Sequence, residues 1–241
     1  MLNQRDLLIL KTLEKTTLAT NYQLMILCGY RGDPSVPRKK LKSLIEQGYV
    51  TSEWFGERKA YTLTQKGLSE IEKTRHPYEI RGIKSEHEYI TTMAACLIYQ
   101  KTGRSIHDMV FDHEMASLSA FRGAGHRPDI VYSPHNCVEV ELTPKRLYGT
   151  SDKSGLDDNF RSNCANYNRQ IWIVPAHKHA LMNNLKKLSE TYGVADCVNI
   201  LTVDKLLEEV KGFDLKDNAP RLEPIRGLPT PRANKEGGHV R

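Results

Sequence analysis

The chain has 241 residues, enough for one large domain or two small ones, and 39% hydrophobic with 27% charged residues excludes wholesale disorder. Its longest apolar runs, around Leu7 to Leu10 and Met93 to Tyr99, are too short for a bilayer-spanning helix, so no membrane partner is expected. The net charge of +6 is uneven: residues 1–80 carry 13 Lys and Arg against 9 Asp and Glu, residues 81–213 carry 16 against 16, and residues 214–241 carry 6 against 4.

A basic first third followed by a neutral stretch points that first part at a polyanion. Leu7, Leu10 and Leu13 share one face of a helix over 3–14. Thr20 or Asn21 can cap a second, short helix that ends at Gly29. Asp33-Pro34-Ser35 starts a third, running to about Gln47, with Leu41, Leu44 and Ile45 inward and Arg38, Lys39, Lys40 and Lys42 mostly outward. Strands Tyr49 to Trp54 and Lys59 to Leu63 then flank the turn Phe55-Gly56-Glu57-Arg58, and Thr64 opens another helix.

Helices followed by a hairpin and a further helix is the order of a winged helix-turn-helix, expected over 1–76. In that reading Arg38, Lys39, Lys40 and Lys42 on the third helix, and Arg58 and Lys59 on the wing, contact double-stranded DNA. Taken alone, the basic run would be a solvated helix face; its place in this unit favours the DNA reading.

Residues 74–83, with Pro77 and Gly82, read as a linker, and a second domain is expected over 84–213. Ser85 caps a helix to about Lys101, closed by Gly103. A strand from Ile106 to Phe111 precedes a polar loop containing Arg122-Gly123-Ala124-Gly125. Strands Asp129 to Tyr132 and Cys137 to Leu142 are joined by Ser133-Pro134-His135-Asn136. A helix-and-loop stretch, strand Ile171 to Val174, helix His177 to Tyr192, strand Val198 to Val203 and helix Asp204 to Lys211 complete a mixed α/β core. Residues 214–241 hold four of the 11 prolines and read as a flexible tail.

The cysteines, Cys28, Cys96, Cys137, Cys164 and Cys197, are odd in number and lack CxxC or zinc-type spacing, so reduced thiols are expected. No basic segment with a following apolar run opens the sequence, and the expected location is cytoplasmic.

The most informative stretch is HRPDIVYSPHNCVEVELTPK, residues 126–145. Alternation puts Val138, Val140 and Leu142 on one strand face and Glu139 and Glu141 on the other. Asp129, starting the preceding strand, can come alongside. Two carboxylates on a strand that otherwise reads as core need neutralising, and an oxygen-rich set suits Mg²⁺ or Mn²⁺. An edge strand with one solvated face is the other possibility. Arg127-Pro128-Asp129 before the strand, Lys145 after it and Glu86-His87-Glu88 on the opening helix favour a site.

Pro128-Asp129 followed by Glu139, after a helix bearing an acid, resembles the PD-(D/E)xK nuclease fold, here with Glu141 where that pattern has lysine. Glu86-His87-Glu88-Tyr89, His126-Arg127-Pro128-Asp129 and Glu139-Val140-Glu141-Leu142-Thr143 together resemble the MOB-C family of plasmid mobilisation relaxases, and the front part resembles the related replication-relaxation family. The resemblance implies a winged helix followed by a restriction-endonuclease-like domain. It also implies metal-dependent, strand-specific nicking of a plasmid transfer origin, with an accessory mobilisation protein and a coupling protein as partners. The ligands it suggests are Asp129, Glu139 and Glu141, with Glu86 or Glu88 adding a ligand or an outer hydrogen bond. Lys145 or Arg127 would meet the phosphate, and His126 and His87 are candidates for proton transfer. Asp112-His113-Glu114 is a weaker source of a ligand. The nucleophile is water, or a tyrosine from Tyr89, Tyr132, Tyr148 and Tyr167, of which Tyr148 follows the acidic strand most closely. Two other readings remain: a non-enzymatic winged-helix regulator of plasmid replication or transcription, and a restriction-like or repair nuclease.

Overall fold

The computed structural model describes residues 2–30, 35–118, 126–143, 145–149 and 155–212. Asp33, the Arg122–Gly125 loop and the expected tail 214–241 lie outside the described residues. The chain is a mixed α and β protein, and no helix among the described residues is long and apolar enough to cross a membrane.

Contacts divide it into two compact units. The first takes the described residues up to Asp108 and those from Val203 onward. Helix α1 (Gln4–Thr16) starts at Asn3, whose side chain accepts the Arg5 and Asp6 amides while Asp6 caps the Asn3 amide. Strand β1 (Ala19–Thr20), which sequence patterning is too short to reveal, leads to α2 (Asn21–Leu27), capped by Thr20 as expected. Helix α3 (Ser35–Glu46) buries Leu41 and Leu44. Strands β2 (Val50–Phe55) and β3 (Arg58–Leu63) pair antiparallel, and β1 adds to the outer edge of β3. Helix α4 (Gln65–Glu70) follows, with the Thr64 hydroxyl accepting the Gly67 amide.

Helix α5 (Gly82–Thr102) begins a turn before the expected start. Ser85 sits inside its first turn and accepts the Arg81 amide at 2.6 Å, and left-handed Gly103 ends the helix. The last helix, α9 (Val203–Lys211), joins this first unit. The expected second domain began at residue 84, but α5 packs on α2 and α9. Gln23 donates to the Tyr89 carbonyl, Thr92 to the Leu18 carbonyl and Tyr22 to the Val210 carbonyl.

The second unit, Met109–Thr202, is a five-stranded sheet with helices. Its elements are β4 (Val110–Phe111), α6 (Asp112–Met115), β5 (Ile130–Ser133), β6 (Asn136–Val140), α7 (Leu156–Asn166), β7 (Arg169–Val174), α8 (His179–Thr191) and β8 (Val198–Thr202). The strand expected over 106–111 shrinks to two residues because Ile106–Asp108 forms a 3₁₀ turn. The order is β4-β5-β6-β7-β8, antiparallel through β6 and parallel from β6 to β8. Strand β6 is therefore central and buried on both faces, which removes the edge-strand alternative. On one face Trp172 and Val174 pack with Leu156 and Phe160 of α7 and Leu181, Leu185 and Leu188 of α8. Burial pushes the Cys28 thiol up to about 12 and those of Cys96 and Cys137 well above the ordinary value, so these are inert core groups.

A Cβ at Gly67 would lie 2.1 Å from the Tyr49 carbonyl oxygen, a backbone atom that cannot swing aside. Gly67→Ala is expected to cost about 1–3 kcal/mol, read as a lower urea midpoint. Gly56, at φ +57° with nothing near its Cβ, is expected to lose only about 1 kcal/mol on the same change.

Candidate functional site

The site grows from the pairing of β5 with β6. Ile130 opposes Val138, so the next pair outward is Asp129 beside Glu139. In the parallel register Glu139 is level with Trp172, the side chain that α7 covers. Glu139 therefore stands on an apolar, helix-covered face and is only 4% exposed. Glu141 continues on that face, its amide donating to the Ile173 carbonyl, and is 3% exposed.

Each carboxylate has its own partner. His126 Nε2 lies 2.9 Å from both oxygens of Glu139. The Val140 amide donates to Asp129 Oδ2 at 2.6 Å, which draws that carboxylate against the Glu139–Val140 peptide. Glu141 Oε2 faces Lys145 Nζ at 2.5 Å, and its Oε1 accepts from the Thr143 amide and hydroxyl. Burial raises the Glu139 pKa; the His126 hydrogen bond pulls it back, and the Asp129 charge raises it further. For Lys145, burial opposes the ammonium, yet Glu141, Glu139 and Asp129 together raise its pKa above the ordinary lysine value. Five side chains thus share one electrostatic neighbourhood: His126, Asp129, Glu139, Glu141 and Lys145.

Among the described residues no three Asp, Glu, His or Cys side chains converge tightly enough to hold a metal ion. Glu141, the third of the expected acids, is paired with Lys145, four residues beyond it. Asp129 and Glu139 on adjacent strands remain, and one or two carboxylates are what Mg²⁺ takes when it keeps its waters and meets a substrate phosphate. The donor chemistry of that pair fits a hard dication.

Other expected contributors divide between the two units. Glu86, His87 and Glu88 belong to the first unit, where Glu88 accepts from the Thr17 hydroxyl at 2.9 Å. Arg127 pairs with Asp112 at 2.8 Å, and the Asp112 amide donates to the Asp129 carbonyl at 3.1 Å, so both flank the site; Glu114 caps the Phe111 amide at the start of α6. Tyr89, Tyr132 and Tyr167 are buried, and burial raises the hydroxyl pKa of Tyr89 and Tyr167, which weakens either as a nucleophile. Tyr148 is 68% exposed.

One feature escapes sequence reading. Asn159 and Asn163, one turn apart on α7, are buried beside Leu156 and Phe160, and their side chains include polar atoms that meet no hydrogen-bond partner among the described residues. An i, i+4 asparagine pair inside an apolar stripe was the available signal. Ser162, on the same helix, donates to the His126 carbonyl.

In the first unit, Arg38 and Lys39 project from α3 into solvent. Lys40 is drawn to Asp6 at 3.1 Å and Lys42 to Glu46 at 3.8 Å. Arg58 lies over the Tyr89 ring at 5.0 Å, and Lys59 is exposed. Comparisons with protein families, curated proteins and solved structures found no match for this chain.

The raised Glu139 pKa has a measurable sign. The folded chain holds this proton more tightly than the unfolded one, so its stability contribution falls as pH rises from about 4.3 through the folded value. Glu139→Gln lacks that loss. In EDTA, the stability of Glu139→Gln relative to the parent should climb with pH across that window and level off outside it. A difference that ignores pH in chemical denaturation would contradict the assignment.

Proposed function

We propose that this chain binds duplex DNA through its first unit and cuts one strand of a phosphodiester backbone at the Asp129–Glu139 site, using Mg²⁺ or Mn²⁺. The observation that carries the reading is a buried glutamate, Glu139, on the central strand, beside Asp129 and within the field of Lys145. A folded protein keeps such a carboxylate at a cost to stability, and functional sites are where that cost is tolerated.

In this reading Asp129 and Glu139 would hold the cation, which supplies charge neutralisation at the phosphate. Lys145 takes the part of the lysine that Glu141 displaces, its ammonium reaching the same carboxylates from four residues farther along. The His126 imidazole, hydrogen-bonded to Glu139, is the group to accept a proton from the attacking water. Burial argues against Tyr89, Tyr132 and Tyr167 as the nucleophile, which leaves water or the exposed Tyr148.

The order helix, strand, two helices, hairpin supports a winged helix, with α3 as the reading helix and the β2–β3 hairpin as the wing. Arg38 and Lys39 would then be its phosphate or base contacts. With the resemblance of the motifs, this becomes a relaxase that nicks a plasmid transfer origin, alongside an accessory mobilisation protein and a coupling protein.

One observation favours the alternative of a non-enzymatic DNA-binding regulator: each acid of the cluster already has a partner. Supercoiled plasmid carrying the DNA that flanks the chain's own gene separates the two. Mg²⁺ or Mn²⁺ should produce open circles, EDTA should prevent them, and Asp129→Ala should slow nicking by roughly two to three orders of magnitude. No metal-dependent nick would leave the regulator; nicking that survives Asp129→Ala would remove this site.

Arg38→Ala and Lys39→Ala should each weaken duplex binding and reduce the slope of log affinity against log salt by about 0.9 per lost phosphate contact. An unchanged slope in both would argue against α3 as the DNA-facing helix.

A further inference from the structure

Trp54 is 72% exposed on the β2–β3 hairpin, the most open of the large hydrophobic side chains among the described residues. Cross-strand partners share a sheet face, so the register divides the hairpin cleanly. One face carries Val50 and Leu63, then Ser52 and Tyr61, then Trp54 and Lys59. The other carries Thr51 and Thr62, Glu53 and Ala60, then Phe55 and Arg58.

The first face is core at its base, where Val50, Leu63 and Tyr61 are buried, and opens to solvent at Trp54 and Lys59. The second face is anchored: Phe55 meets the Tyr89 ring at 6.0 Å and Arg58 lies over the same ring at 5.0 Å. Anchored that way, the hairpin leaves the indole facing solvent. Lys59, the cross-strand partner of Trp54, lies on the Trp54 face. The hairpin's own acids are placed away from that face, Glu53 on the opposite side and Glu57 in the turn.

An open aromatic ring with a lysine beside it matches a polyanion bearing flat apolar groups. A duplex closes both faces of every base, whereas an unpaired strand offers them for stacking. We infer that Trp54, with Lys59, forms a platform on which an unpaired DNA strand stacks a base while a phosphate meets the Lys59 ammonium. This inference rests on the reading of the first unit as a DNA-binding fold and adds a single-strand contact that the duplex reading does not require.

The chain carries a built-in reporter. It has two tryptophans, and Trp172 is 0% exposed, stacked on Phe160 and hydrogen-bonded to Gln170. Emission that changes on binding therefore reports Trp54. Oligothymidine titrated into the full chain should quench that emission. Trp54→Ala should weaken oligothymidine binding by about 5- to 150-fold, the value of one base on one ring, and Trp54→Phe should retain most of it. Duplex affinity, followed by anisotropy of a labelled duplex, should change less than about threefold, since no base stacks there.

Absence of quenching with duplex binding intact overturns the platform and leaves the duplex reading standing. Equal losses for single strand and duplex in Trp54→Ala overturn the single-strand assignment. A concentration-dependent emission shift without DNA, abolished by Trp54→Ala, would give the face to a second copy of the chain instead. If Arg38→Ala and Lys39→Ala leave duplex binding untouched while quenching persists, the duplex reading fails and the platform survives.

Discussion

A carboxylate at the middle of a sheet is the constraint from which the second unit is built. Glu139 sits on β6, with strands on both sides and the α7 face above, and cannot be solvated in place. Its charge is offset locally by the His126 hydrogen bond and by the Lys145 ammonium, while Asp129, drawn in by the Val140 amide, works against it. The whole arrangement keeps two acids adjacent in a water-poor setting, where electrostatic interactions are strengthened. Such opposition is hard to justify as packing. Replacing ionic groups by apolar ones of similar volume is often neutral or stabilising, and that cost is the physical ground for proposing a binding role for the cluster.

The first unit is organised by different physics. Its small sheet and helices close a core around Ile9, Leu10, Leu13, Leu24 and Leu41, and side-chain caps at Asn3 and Thr20 set where helices begin. Helix α5 completes it by offering Tyr89 to the hairpin: one ring supports Phe55 and Arg58 and so fixes the orientation of Trp54 and Lys59. The basic surplus of the first 80 residues is spent unevenly, with Lys40 and Lys42 held by acids and Arg38, Lys39 and Lys59 left facing solvent.

Much of this was legible in the sequence, for identifiable reasons. Periodicity marked the helices and strands, Thr20, Gly48 and Gly103 marked ends, and the expected α–β–β–β–α–β–α–β–α order of the latter part holds except for the short α6 between β4 and β5, four residues being too few for a periodic signal. The adjacency of Asp129 and Glu139 follows from a short hairpin. What sequence does not carry is competition between partners. Spacing suggested three acids in one set, but Lys145 is close enough in the chain to pair with Glu141. Nor does spacing reveal that α5 packs with α2 and α9, which sends Glu86, His87 and Glu88 to the other unit. Ser85 resembled a helix cap because its hydroxyl does cap an amide, but from inside the first turn. The exposure of Trp54 depended on register and on which face Tyr89 covers, neither of which is local.

The central claim is that Asp129 and Glu139, without Glu141, hold a divalent cation. Titration of the metal-free chain with Mn²⁺, followed by electron paramagnetic resonance of the free ion, tests it directly. The account predicts saturable Mn²⁺ binding that disappears in Asp129→Asn and in Glu139→Gln and persists in Glu141→Gln. Binding that is the same in all four chains, or lost only in Glu141→Gln, would contradict it.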